Sequence, residues 1–372
     1  MPPSPHASIG IALDEVDTPA LVLDLDALER NLLRMADAVK ESGVRLRPHA
    51  KSHKCAEIAR RQITAGAVGV CCQKVSEAEA LVAGGVADVL VTNEIVGQQK
   101  TERLARLARE AKVAVLADDA GNAADLDAAA RAEGVRLDVL VEVNVGADRC
   151  GIAPGESALA LARGIAACRN LRFAGLHAYH GSVQHVRDPG ERRAAIAAAA
   201  EKARLTKTLI ENAGIACETV TGAGTGTFLL ESASRVYNEI QPGSYVFMDA
   251  DYNRNLWEEG WPRFEQSLFV LATVMSAASP GHAVLDAGLK ASSVDSGLPL
   301  VHERPGVEFV KASDEHGVLK IAAGVKAPKL GEKLLLVPGH CDPTVNLYDW
   351  FVCVRKGKVE ALWPVTARGA VW

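Results

Sequence analysis

Residues 86–116 read VADVLVTNEIVGQQKTERLARLAREAKVAVL. Residues 86–91 form a short β-branched run, residues 101–111 repeat apolar side chains at helical spacing, and residues 113–116 form a second β-branched run. This β-then-α rhythm extends outward from Thr18 to about residue 250. Further runs fall at 20–23, 44–46, 68–72, 137–143, 171–176 and 217–220, alternating with helical patterns such as Leu28, Leu32, Met35, Ala36, Val39 and the stretch 191–213. Eight strands with helical crossovers predict an α/β protein, a (β/α)8 TIM-like barrel. An open doubly wound sheet would share the rhythm; the count of eight and the clustering of polar residues after the strands favour the barrel.

Beyond Trp261 the pattern changes to short runs at 268–275, 282–286, 307–312, 317–321, 334–337 and 350–354, with turn residues between them, which predicts a C-terminal all-β domain. The expected division is a barrel over 17–255 and a β domain over 256–372, with residues 1–16 joining the latter. Lys and Arg total 41 against 46 Asp and Glu, a net charge of −5, so no basic surface is available for nucleic acid or an anionic membrane. The longest uncharged stretch, 266–285, contains Ser276, Ser279, Pro280 and Gly281, which break a spanning helix and predict strand, turn, strand. The start Met-Pro-Pro-Ser-Pro-His lacks the basic and apolar regions of a secretory signal, and the eight cysteines form no CxxC pair. Both features predict a cytoplasmic protein with reduced thiols.

Three polar clusters stand out. Arg47-Pro48-His49-Ala50-Lys51-Ser52-His53-Lys54 follows the second strand, at the mouth where barrel enzymes gather catalytic groups. Histidines at both i−2 and i+2 of Lys51 suggest neighbouring positive charge that keeps its amine deprotonated for Schiff-base chemistry, against the plainer reading of a solvated basic loop. Residues 221–227, TGAGTGT, follow the last confident barrel strand, and their glycines allow backbone amides to converge on an anion. Gln241-Pro242-Gly243-Ser244-Tyr245 can add donors. An early Schiff-base lysine and a late phosphate cradle together suggest pyridoxal phosphate. The third cluster, Gly339-His340-Cys341-Asp342-Pro343, would place His340 and Asp342 on one side of an extended segment as a metal pair, with Cys341 facing the β domain. Two more segments past predicted strands carry Arg149, and Tyr179 with His177, His180 and His185.

On these residues, together with Asp17-Thr18-Pro19-Ala20 and Val345-Asn346, the sequence resembles the fold-type III pyridoxal-phosphate enzymes over residues 17–355. Within them it resembles the D-threonine aldolases and their relatives, the D-serine and D-3-hydroxyaspartate dehydratases. The resemblance implies that Lys51 carries the cofactor and that Gly224, Thr225, Gly243 and Ser244 bind its phosphate. It further implies a divalent cation on His340 and Asp342, Arg149 and Tyr179 near the cofactor ring, His185 as the acid/base group, and a homodimer.

The expected reaction is retro-aldol cleavage of a small D-β-hydroxy-α-amino acid to glycine and an aldehyde, with the cation lowering the pKa of the β-hydroxyl and His185 taking its proton. Dehydration is the nearest alternative, but relatives resembling the dehydratases place cysteine two residues after the histidine. Asp342 is instead a hard ligand that favours Mn2+, with Mg2+, Co2+ and Zn2+ also open. A non-catalytic pyridoxal-phosphate carrier would lack the metal pair, and an amino-acid racemase needs a second base opposite the lysine.

Overall fold

The computed structural model describes residues 7–372. Residues 1–6, the start of the segment expected to lack a signal, lie outside the described residues. Strand β1 (Ala20–Asp24) leads into helix Leu25–Ser42, which the Asp24 carboxylate caps by accepting from the Ala27 N–H. Leu28, Leu32 and Met35 bury one helical face, and Gly43 ends the helix at φ 71°, a left-handed conformation that costs glycine little.

Eight parallel strands follow: β2 (Arg45–Leu46), β3 (Val70–Cys72), β4 (Asp88–Glu94), β5 (Lys112–Ala117), β6 (Leu137–Glu142), β7 (Leu171–His177), β8 (Thr219–Gly222) and β9 (Glu239–Ile240). They are ordered β2-β9-β8-β7-β6-β5-β4-β3. The ends of the sheet meet where Val68 N donates to Leu46 O (2.9 Å) and Cys71 N to Pro48 O (2.8 Å), so the sheet curls into a barrel. Cys71, Leu90, Leu116, Leu140 and Ala174 form a buried cluster on one face of this sheet. On the other face Val89, Val115, Val139 and Leu176 pack in a larger core with helical residues such as Leu104, Leu126 and Ile165.

The barrel therefore has eight strands, but not the eight read from the sequence rhythm. Residues 20–23 leave it: β1 pairs antiparallel with β10 (Leu268–Ser279) and parallel with β16 (Trp350–Arg355). A run buried on both faces reads alike in either sheet, and periodicity names no pairing partner. The replacement, β9, is two residues long and gives no periodic signal.

The second sheet adds β11 (His282–Leu285), β12 (Leu300–Val301), β13 (Val307–Ala312), β14 (Gly317–Ile321), β15 (Lys333–Val337) and β17 (Lys358–Pro364). Its main path is β13-β14-β11-β10-β1-β16-β17, with β15 joining β10 to β12. The uncharged stretch folds as expected, with β10 and β11 joined across Gly281 at φ 71°. Residues 10–13 run beside β17, with Gly10 N donating to Val359 O (2.8 Å). Among the described residues no helix is long and apolar enough to cross a membrane, and all eight cysteines are free.

Candidate active site

At the end of β2 the buried Arg47 guanidinium pairs with Glu239 (3.0 Å) and Asp88 (2.6 Å). Burial works against its charge, but the two carboxylates outweigh burial and hold it ionised. This anchored end launches the 3-10 turn Ala50–Ser52, which puts Lys51 into a cavity of about 340 Å3. Eight of the sequence-predicted residues line that cavity: Lys51, Arg149, Tyr179, Gly224, Thr225, Gly243, Ser244 and Asp342. They come from both sheets' loops, so the cavity sits where the two parts of the fold meet.

Lys51 Nζ lies 2.9 Å from Asp342 Oδ2. Asp342 raises the lysine pKa despite burial. Conversely, burial opposes ionisation of Asp342, but Lys51 and His340 override it and depress the carboxyl. The expectation that two histidines keep Lys51 deprotonated is thereby corrected. Burial foremost, then the Lys51 charge, drives the His49 pKa well down, and burial lowers His53 to about 4. Both rings are neutral, and both are engaged elsewhere. His49 Nε2 meets Thr92 Oγ1 (2.9 Å) and Gln73 Nε2 (3.0 Å), while His53 Nε2 meets Gln62 Oε1 (3.3 Å).

In the same cavity lining, the backbone N–H groups of Gly224, Thr225 and Ser244 donate to no acceptor among the described residues. Gly243 presses against the His49 carbonyl so closely that a Cβ there would fall 2.9 Å from its oxygen. Three unpaired donors at the edge of a cavity make an anion cradle.

Sequence reading missed a buried pair on the cavity wall. His177 Nδ1 bonds to Glu142, and Nε2 donates to Gln241 Oε1 (3.1 Å), whose own amide is oriented by donating to Thr221 Oγ1 (2.8 Å). A carboxylate on one ring nitrogen and an amide oxygen on the other are both acceptors, an arrangement that favours the imidazolium form. Burial would lower its pKa, but Glu142 and Gln241 prevail and raise it. A histidine two residues before Tyr179 is visible in sequence, but its partners lie 35 and 64 positions away.

Arg149 stands over the Tyr179 ring with its guanidinium carbon 5.6 Å from the centroid. His185 and His340 do not line the cavity. The first packs on Tyr252, which does, at 5.1 Å between centroids, and its Nδ1 pairs with Asp251. The second holds Asp295 through Nδ1 at 2.8 Å.

The segment around Asp342 also differs from the extended form expected. His340 is the residue before a short helix, Cys341–Val345, which starts because the Asp249 carboxylate accepts from Cys341 N (2.9 Å) and from Tyr252 N (2.9 Å). Asp249 thus fixes two cavity-bearing elements at once, and its aspartate-before-helix position is the only trace of this in sequence. Cys341 does turn inward: it is fully buried, with Sγ 3.3 Å from Asp342 Oδ1. No group of three or more His, Cys, Asp or Glu side chains arranged for a metal occurs among the described residues.

A family model described as "Alanine racemase, N-terminal domain" matches residues 23–251, and one described as "Putative serine dehydratase domain" matches 267–354. The chain is 50% identical over 366 residues to the 3-hydroxy-D-aspartate aldolase of Paracoccus denitrificans (strain Pd 1222), covering 97% of this chain and 94% of the relative. It is 49% identical to the D-threonine aldolase of an Arthrobacter species, covering 98% and 96%. The crystal structure of D-threonine aldolase from Filomicrobium marinum superposes with a TM-score of 0.97 at 53% identity, covering 99% of this chain and all of that one. Over both parts of its length, the chain belongs to the alanine-racemase-like, fold-type III family.

Proposed function

We propose that the protein is a lyase, a pyridoxal-phosphate- and divalent-metal-dependent D-threonine aldolase that cleaves D-β-hydroxy-α-amino acids to glycine and an aldehyde. Family membership implies the cofactor, and the residues fit it: a lysine amine and three unpaired backbone donors face one cavity. In this reading Lys51 holds the cofactor's aldehyde end, and Gly224, Thr225, Gly243 and Ser244 hold its phosphate. When bound, pyridoxal phosphate supplies an electron sink for the Cα of the substrate.

The observation that carries the choice of reaction is the carboxylate of Asp342 inside the cavity, 2.9 Å from the Lys51 amine. His340 and Asp342 would hold the cation, which supplies a Lewis acid for the β-hydroxyl. Asp295 occupies His340 Nδ1 and leaves Nε2 as the available donor. An imidazole nitrogen and a carboxylate oxygen suit Mn2+, whereas a thiolate would favour Zn2+. Cys341, the only sulfur nearby in sequence, is turned into the core.

The chain's own groups then divide the work. Arg149 and Tyr179 orient the ring and exclude water from one wall. His185, fixed at Nδ1 by Asp251 and packed behind the cavity-lining Tyr252, receives the β-hydroxyl proton at Nε2 through an intervening water as the Cα–Cβ bond breaks. The bond's electron pair stays with Cα, which becomes glycine after reprotonation, and Cβ departs as the aldehyde carbon. A barrel domain over 17–255, whose first strand is lent to the second sheet, with a metal-bearing β domain over 256–372, working as a cytoplasmic homodimer, completes the proposal.

The deciding experiment is to incubate D-threonine, and separately 3-hydroxy-D-aspartate, with enzyme, pyridoxal phosphate and Mn2+. Glycine with acetaldehyde or glyoxylate supports the aldolase. Ammonia with 2-oxobutanoate or oxaloacetate would replace it with a dehydratase.

A further inference from the structure

The glycine-rich loop is held from behind by one side chain outside the cavity lining. Gln184 is fully buried at the end of the 3-10 turn Gly181–His185, and its carbonyl oxygen is fixed by Asn255 Nδ2 (2.9 Å). Its Oε1 accepts from Gly226 N (3.0 Å), and its Nε2 donates to Thr227 Oγ1 (2.8 Å). The Thr227 hydroxyl in turn donates to Glu231 Oε1 (2.8 Å). Each link has one direction only: Gly226 N–H to Gln184, Gln184 N–H to Thr227, Thr227 O–H to Glu231.

Packing agrees with the hydrogen bonds. A Cβ at Gly224 would lie 2.5 Å from Gln184 Oε1, and one at Gly226 would lie 2.6 Å from the Gln184 carbonyl oxygen. The second contact is backbone against backbone and has nowhere to move. Two of the loop's glycines are therefore required by the approach of Gln184, not by an anion. Glu231, at the far end, is wholly buried, its Oε2 has no partner, and burial pushes its carboxyl up to about 7.

We propose that Gln184, backed by Thr227 and Glu231, is a positioning residue that sets the phosphate affinity of this loop by aiming the free N–H groups of Gly224 and Thr225 into the cavity. This rests on the reading of the loop as the cofactor's phosphate site. Gln184 touches neither cofactor nor substrate in this role. It fixes the one loop conformation in which Gly226 N–H is consumed internally and the two preceding N–H groups are left over.

The test compares pyridoxal phosphate with pyridoxal, which lacks the phosphate, by equilibrium binding to apoprotein followed through quenching of tryptophan fluorescence. For the parent, the ratio of the two dissociation constants measures the contribution of the cradle. Gln184→Leu, which removes both hydrogen bonds, is expected to reduce that ratio at least tenfold while pyridoxal affinity stays within about twofold. Gln184→Glu, which keeps the acceptor for Gly226 but sets an oxygen against Thr227, should fall in between. Glu231→Gln retains an acceptor for Thr227 and should stay within about threefold of the parent; Glu231→Leu should not.

An unchanged ratio in Gln184→Leu, or an equal loss for both ligands, overturns the inference and leaves the phosphate site intact. A parent that binds the two ligands equally overturns the phosphate-site reading itself, and the inference with it. If Gln184→Leu does not fold, the Glu231 pair and Gln184→Glu still decide the matter.

Discussion

Replacing Glu142 by Gln separates the His177 pair with the least change of shape. Both side chains are almost completely buried, and the amide keeps one acceptor for the imidazole while removing the negative charge. Removing one partner of a buried ion pair costs several kcal/mol, because the remaining charge is left without compensation; about 3 kcal/mol is the expectation here, since one hydrogen bond survives. Unfolding entropy of about 2.1 cal/mol/K per residue gives this 372-residue chain about 0.8 kcal/mol/K, so Tm should fall by about 4 °C.

The pH dependence carries the sharper content. In the parent the folded-state pKa of His177 is raised above its unfolded value near 6.5, so the pair's contribution is complete below about pH 6.5 and is lost as pH rises through the elevated value. In Glu142→Gln the burial that opposes the charge is no longer outweighed, so the folded-state pKa falls below 6.5. The variant then loses stability as the solution becomes acidic. The gap between the two Tm curves should therefore be widest on the acid side of neutrality and narrow as pH rises. Thermal unfolding followed by circular dichroism at half-unit pH steps measures the gap. A constant gap, or one that widens toward alkaline pH, would refute the assignment of an imidazolium to His177.

Three further outcomes follow from the site. Lys51→Ala should bind pyridoxal phosphate without becoming covalently labelled on borohydride reduction; peptide mapping that finds label on another lysine would reject Lys51. Asp295→Asn leaves His340 without its charged partner and should weaken Mn2+ affinity about tenfold, measured by calorimetry on protein already loaded with cofactor. Asp342→Cys should shift metal preference from Mn2+ toward Zn2+ while glycine and acetaldehyde remain the main products from D-threonine; conversion to 2-oxobutanoate would transfer control of the reaction from His185 to the ligand.

What could be read in the sequence was local. Lys51 and its neighbours, the loop 221–227 and the Gly243-Ser244 pair each occupy a few consecutive residues, and their order along a β/α repeat places them at one mouth. The alternation typified by residues 86–116 was likewise legible as β/α, and the count of eight favoured the barrel although one of the eight strands belongs to the other sheet. What escaped depends on pairing at a distance. The ionisation of Lys51 is set by Asp342, 291 residues away, and not by the histidines beside it. The Glu142 partner of His177 comes from a neighbouring strand and the Asp251 partner of His185 from the short helix Ala250–Asn253. The glycines of the loop 221–227 were legible as glycines, but Gln184 as the cause of two of them was not, because a close approach leaves no mark on the residue that makes it.

The position of β1 bears on how the chain can be built during synthesis. Ala20 pairs with Leu271 and Val22 with Val352, whereas the barrel strands all lie between Arg45 and Ile240. At about 5–20 residues per second, a ribosome needs roughly 15–65 s to pass from residue 22 to residue 352. Once residue 240 is made every strand of the barrel exists, yet the apolar strand ALVLD has neither neighbour until β10 emerges at 268–279, and it lacks β16 until residue 352. The waiting strand is a natural client for a holdase, and its exposure time scales with translation speed and not with the stability of the finished fold. Synonymous codon changes that slow residues 241–352 should thus lower soluble yield without altering the Tm of the protein recovered.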